Sequence, residues 1–188
     1  MAPAGTSSPA DPTATGVVLV GFMGSGKSHV GTLLARRLGL PFVDADALVE
    51  ADAGPIATIF EERGETGFRE VERRVVLGAL ADLADRPAVL SLGGGAVSHT
   101  DVRAALRAAP FVVWLDAPVE VLWRRVTRAA RRGRRVRPLA ADEATFAALY
   151  ERRLPWYEEV ATAVFRGAGE RSPEEAAGWV ADTLRGRR

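Results

Sequence analysis

Residues Gly21-Phe-Met-Gly-Ser-Gly-Lys-Ser28 carry the spacing G-x-x-x-x-G-K-[ST], and no other feature of this chain restricts its fold so sharply. The motif follows the apolar run 17–20. It opens a pattern with Val30, Leu33, Leu34 and Leu38 at helical spacing. A strand, a glycine-rich loop and a helix in that order turn backbone N–H groups inward around phosphate oxygens, and the helix dipole adds positive potential. In such a loop Lys27 bridges the β- and γ-phosphates, and the Ser28 hydroxyl is placed to ligate Mg²⁺. The alternative is a glycine-rich turn that only caps a helix. Composition speaks against it: Lys27 is the sole lysine of the chain, and asparagine and glutamine are absent. Where every other basic position has become arginine, a surviving lysine marks a site that a guanidinium does not serve. The loop reads as a nucleoside triphosphate site.

The other apolar runs are 41–43, 88–92, 111–115 and 163–165, each separated by helical patterns. Phe68, Val71, Val75, Val76, Ala79, Leu80 and Leu83 share one face of a long helix, and further helices are expected over 118–128, 143–157 and 173–184. Five strands alternating with helices imply right-handed crossovers and a parallel sheet covered on both faces, an α/β fold. Residues 1–15 hold almost no large apolar group and read as a disordered tail, with 16–184 as a single domain and 185–188 as a frayed end. The 188 residues contain no cysteine, which excludes a disulfide framework, Cys-ligated metals and a thiol nucleophile. Two histidines make a histidine-built metal centre an unpromising reading. No apolar run reaches the ~20 residues of a membrane span, and no secretory leader pattern opens the chain. A cytoplasmic protein is expected. The net charge of +1 argues against nucleic acid as a partner despite the arginines.

A GTPase would need an Asn-Lys-x-Asp base-reading motif, which a chain without asparagine cannot supply. A motor ATPase would need a hydrophobic strand ending in Asp-Glu. The nearest match ends at Asp116, which is expected to cap the helix beginning near Pro118. A kinase remains. In an open parallel sheet, ligands gather at the carboxyl ends of the strands. There the second run ends in Asp44-Ala-Asp46 and the third in Gly93-Gly94-Gly95. The aspartates are either turn formers and caps, or a holder of metal-bound water and an acceptor of the hydroxyl proton. Three consecutive glycines suggest a ligand close to the backbone. Arg69, in Gly67-Phe-Arg-Glu-Val-Glu72, is read from the residues alone as a solvated partner of Glu65, and Arg153 has the same standing. Eight arginines within 124–137 form either a basic recognition helix or a lid over phosphates, and Gly133 and Pro138 favour the lid, placed at about 126–141.

Together the loop, Asp44-Ala-Asp46, Gly67-Phe-Arg-Glu-Val-Glu72, Leu92-Gly-Gly-Gly-Ala-Val97, Arg137-Pro-Leu139 and Arg153-Leu-Pro-Trp-Tyr157 resemble shikimate kinase, in the family's order from Val17 to Leu184. The resemblance implies a P-loop kinase fold of three layers, α/β/α, with strand order 2-3-1-4-5. It implies ATP-dependent phosphorylation of the shikimate 3-hydroxyl, with Mg²⁺. The nucleotide side would be Gly24, Ser25, Gly26, Lys27, Ser28, His29 and Arg125, and the magnesium residues Ser28 and Asp44. Asp46 would hold the reacting hydroxyl and serve as base, Arg69 and Arg153 would grip the carboxylate, and Gly93, Gly94 and Gly95 would line the ring. Arg137 would reach the transferring phosphate alongside Lys27. A monomer acting on a small molecule, without membrane or nucleic acid, is expected. His29 stands where threonine is usual, and the arginine-rich segment is longer than the family's lid. A kinase of a related carboxylated cyclitol, such as an aminoshikimate, would keep these motifs. A non-catalytic ATP-binding module with a basic interaction segment is the reading of a different class.

Overall fold

A computed structural model describes residues 15–131 and 142–187. The expected tail up to residue 14, most of the expected lid, and Arg137 with it, lie outside the described residues.

The centre is β1 (Val17–Val20), four aliphatic residues at 0–1% exposure. A strand buried on both faces is a continuous apolar run rather than an alternating one. It pairs in parallel with β3 (Val89–Ser91) and β4 (Val112–Leu115), which pair in turn with β2 (Phe42–Asp44) and β5 (Ala163–Phe165). The order is β2-β3-β1-β4-β5, as the resemblance implied. β1 and β5 coincide with the expected apolar runs, β2 has the expected length but lies one residue later, and β3 and β4 are two and one residues shorter than their runs.

Helix α1 (Lys27–Leu38) packs on α7 (Pro173–Arg185). It begins only because Gly26 takes φ +91°, a left-handed conformation that costs glycine nothing. Helix α7 starts with a complete capping box. The Ser172 hydroxyl accepts from the Glu175 N–H at 3.1 Å, and the Glu175 carboxylate accepts from the Ser172 N–H at 2.8 Å. Helix α2 (Ala45–Ala53) and α4 (Thr100–Ala108) have no counterpart in the sequence reading. The long helix α3 (Ile56–Asp82) begins 12 residues before Phe68 and is kinked at Gly64, where φ is +65°. Its buried face includes Phe68, Val71 and Val76. The first two join Val49 and Ile59 in a small second core between α2 and α3.

Helices α5 (Val119–Arg131) and α6 (Glu143–Val160) flank the described edge of the arginine-rich segment. Asp116 does not serve as the expected cap of α5. Its carboxylate accepts instead from the Tyr150 hydroxyl at 3.3 Å and from Arg166 at 3.4 Å, tying the end of β4 to α6 and to the chain after β5. The proton of Tyr150 is correspondingly hard to remove: burial first, then the charge of Asp116, push its pKa up to about 12.

Candidate active site

The carboxyl ends of β1, β2 and β3 bring three segments to one edge of the sheet, as parallel topology requires. They border a cleft of about 550 Å³. Gly24, Gly26, Lys27, Ser28 and His29 line one wall, Asp44 and Asp46 the next, and Gly93 and Gly94 the floor. Arg125 of α5 closes the far side, where its Nη1 donates to the Gly24 carbonyl at 3.0 Å. Ser25 lies beneath the loop at 2% exposure rather than in the cleft wall.

Within the loop, the Lys27 ammonium donates to the Gly21 carbonyl at 2.7 Å and the Phe22 carbonyl at 3.1 Å. The Ser28 hydroxyl donates to Asp44 Oδ2 at 2.7 Å. The other Asp44 oxygen accepts the Asp46 N–H at 3.0 Å, making Asp44 the N-cap of α2. The two readings of this aspartate, cap and site residue, are therefore compatible: one carboxylate does both. Capping also fixes where Asp46 leaves the backbone, in the first turn of α2.

The triple glycine is pressed between the phosphate loop and two arginines. A Cβ on Gly94 would stand 3.2 Å from the Met23 nitrogen, and one on Gly95 would stand 2.0 Å from Arg69 Nη1. Any side chain at Gly95 would displace that guanidinium. Arg69, on α3, does pair with Glu65 at 3.3 Å, as its isolated reading expects. It also pairs at 2.5 Å with Glu72, a carboxylate with 1% exposure. Arg153, on α6, reaches the neighbouring glycine and donates Nη1 to the Gly94 carbonyl at 3.1 Å. Its guanidinium lies 5.5 Å over the Phe22 ring, and its Nε is buried without a hydrogen-bond partner. Burial pulls the Arg153 pKa below its ordinary value, opposed by the neighbouring Tyr157 and Glu72. Neither arginine lines the cleft directly; both stand behind its glycine floor, 84 positions apart in sequence.

Glu72 and Tyr157 are the structural partners that sequence reasoning left without a role. Both lie inside motifs already singled out, three residues after Arg69 and four after Arg153, on the same helix faces. That spacing is the signal by which they could have been found. Among the described residues no cluster of three or more acidic, histidine or cysteine side chains is placed to hold a metal, and no helix is long and apolar enough to cross a membrane.

Comparison with known proteins gives the same picture. The family model described as shikimate kinase matches residues 23–185. A shikimate kinase of Symbiobacterium thermophilum is 50% identical over 149 residues, 77% of this chain and 82% of that protein. One of Ruegeria pomeroyi is 44% identical over 85% of this chain and 79% of that protein. Among solved structures, the shikimate kinase of Acinetobacter baumannii in complex with shikimate superposes with a TM-score of 0.82 at 34% identity, covering 94% of this chain and 96% of that one. The shikimate kinase of Aquifex aeolicus gives 0.74 at 32% identity, covering 91% and 96%. With motif order, strand order and site geometry in agreement, the chain belongs to the shikimate kinase family of small-molecule kinases.

Proposed function

We propose that this chain transfers the γ-phosphoryl group of ATP to the 3-hydroxyl of shikimate, yielding shikimate 3-phosphate and ADP. The observation that carries the acceptor side is the meeting of Arg69 and Arg153 at Gly95 and Gly94, behind the glycine floor of the cleft. Two guanidiniums with a planar fork each suit a carboxylate. The buried, unpartnered Nε of Arg153 leaves one edge of its fork for such a group.

The residues present also fit magnesium. Ser28 and Asp44 offer hard oxygen donors within 2.7 Å of each other, and an ion that keeps waters and phosphate oxygens needs no all-protein cage. When bound there, the ion would neutralise charge on the β- and γ-phosphates. Lys27 exchanges its contacts with the Gly21 and Phe22 carbonyls for phosphate oxygens as the nucleotide enters. Asp46 takes the proton of the acceptor hydroxyl while that oxygen bonds to the γ-phosphorus. The bond to the β,γ-bridging oxygen breaks, and ADP leaves with the electron pair. Gly93, Gly94 and Gly95 let the ring approach the backbone, and Arg125 stands beside the nucleotide with His29 at the start of α1. Arg137 would add a second positive group at the transferring phosphoryl. The working unit is a monomer acting on small molecules.

ADP release by the purified full-length protein, measured over shikimate, quinate, an aminoshikimate and other cyclitol acids, tests this reading. Shikimate should give the highest kcat/KM, and NMR of the product should place the phosphate on O3. Preference for an amino-substituted acid would move the assignment to the related cyclitol kinase. No turnover on any acid, with tight ATP binding, would favour the non-catalytic module.

A further inference from the structure

The Gly94 carbonyl accepts two hydrogen bonds from one helix, from the Tyr157 hydroxyl at 2.6 Å and from Arg153 Nη1 at 3.1 Å. The donors stand four residues apart on α6, one turn above the other. Tyr157 is fully buried and stacks on Trp114 of β4, with ring centres 5.9 Å apart and planes at 18°. Gly94 itself is wedged against the phosphate loop, close to the Met23 nitrogen and the Gly21 carbonyl. No step of phosphoryl transfer uses the phenol. It does not line the cleft, and its burial keeps it protonated, as a donor must be.

We infer that Tyr157 is a positioning residue for the acceptor, whose hydroxyl holds the Gly94 carbonyl so that Arg153 can give its guanidinium to the substrate carboxylate. A carbonyl oxygen has two lone pairs and takes both donors. Removing the hydroxyl leaves Arg153 to satisfy Gly94 and bind the acceptor at once. The inference rests on the reading of Arg153 as a carboxylate ligand. It adds that the quality of this grip is set from the far side of the glycine loop.

Tyr157→Phe keeps the ring and its stacking on Trp114 while deleting the donor. KM for shikimate should rise about 3- to 10-fold, the scale of one net hydrogen bond. KM for ATP and kcat should change little. In an Arg153→Ala background the same substitution should have almost no further effect on KM for shikimate. An unchanged KM in the single variant overturns the inference, and so does an equal rise in both backgrounds or a parallel rise in KM for ATP. The wild type separates the two levels: if it does not distinguish shikimate from its methyl ester, the carboxylate reading fails and takes this inference with it. If it does distinguish them and Tyr157→Phe is silent, only the role of Tyr157 falls. Should melting curves show that Tyr157→Phe is unfolded, 3-fluorotyrosine carries the test. The chain has two tyrosines, so the label is placed at 157 alone in a Tyr150→Phe background. A more acidic phenol of nearly equal volume donates more strongly, and KM for shikimate should fall; no change overturns the inference.

Discussion

Loss of Arg153 and loss of Arg69 should weaken acceptor use alike yet damage the protein very differently. In the proposed reading each guanidinium donates charge-assisted hydrogen bonds worth about 1.5–3 kcal/mol to the acceptor carboxylate, so either alanine variant should lower kcat/KM for shikimate about 10- to 150-fold. Arg153→Ala removes one donor from Gly94, but the Tyr157 hydroxyl remains at 2.6 Å, so the loop keeps its anchor. Arg69→Ala instead strands Glu72, whose side chain is 1% exposed and whose Oε1 already lacks a partner. Breaking a buried pair on one side costs about 3–5 kcal/mol, a large share of a domain's stability. Denaturant titration should show Arg69→Ala far less stable than Arg153→Ala, and Glu72→Gln should restore much of the loss in the Arg69→Ala background. Kinetics then use shikimate methyl ester, which has no carboxylate charge to grip. The ester should be a poor substrate for the wild type and lose little more in either variant, because two residues serving one group cannot both be charged for its removal. If acid and ester respond equally to both mutations, the arginines do not bind the acceptor carboxylate. If Arg69→Ala is as stable as Arg153→Ala, the burial argument for Glu72 is wrong.

What could be read from the sequence follows the range over which each signal acts. The phosphate loop is local: glycine conformation, helix start and lysine all lie within eight residues, and the strand before it is a plain apolar run. The strand order comes from the resemblance, because pairing between β1 and β4 depends on contacts some 90 positions apart that no local pattern records. Helix α2 escapes the periodicity reading because it is only nine residues long and rich in alanine, with Leu48 and Val49 its only large apolar side chains, and its start is fixed by a cap that reads equally as a turn. The start of α3 escapes because Gly64 interrupts it, although Ile59 and Phe68 on either side belong to one small core. Asp116 shows the opposite failure. A local capping rule predicts its role, and two partners from distant elements, Tyr150 and Arg166, take the carboxylate instead. The same holds for Arg69: its i−4 partner is visible in the sequence and real. Its position against Gly95 is a tertiary fact that only the resemblance hinted at.

Lys27→Arg should fold normally and keep less than a tenth of wild-type kcat, since a planar fork does not fit where a compact ammonium sits 2.7 Å from the Gly21 carbonyl. Retention of more activity than that would refute the role given to the lysine. Asp46→Asn should lower kcat about 10²-fold with little change in ATP affinity, whereas Asp44→Asn should raise the magnesium concentration needed for half-maximal rate. Interchanged phenotypes would reverse the two roles. Stability should also depend on pH through His99. Burial lowers its pKa in the folded state, with Glu72 and Asp101 pulling the other way and Arg69 and Arg73 adding to the effect. Below an ordinary histidine pKa of about 6.5 the unfolded chain takes up a proton that folded His99 resists, so the unfolded state binds more protons and stability rises with pH. The contribution is therefore complete above that value and is lost as pH falls through the lower folded pKa. Urea midpoints compared between pH 7.5 and pH 5.5 should show the decline, and His99→Phe should flatten it. If the slope survives in His99→Phe, burial of that imidazole is not its cause.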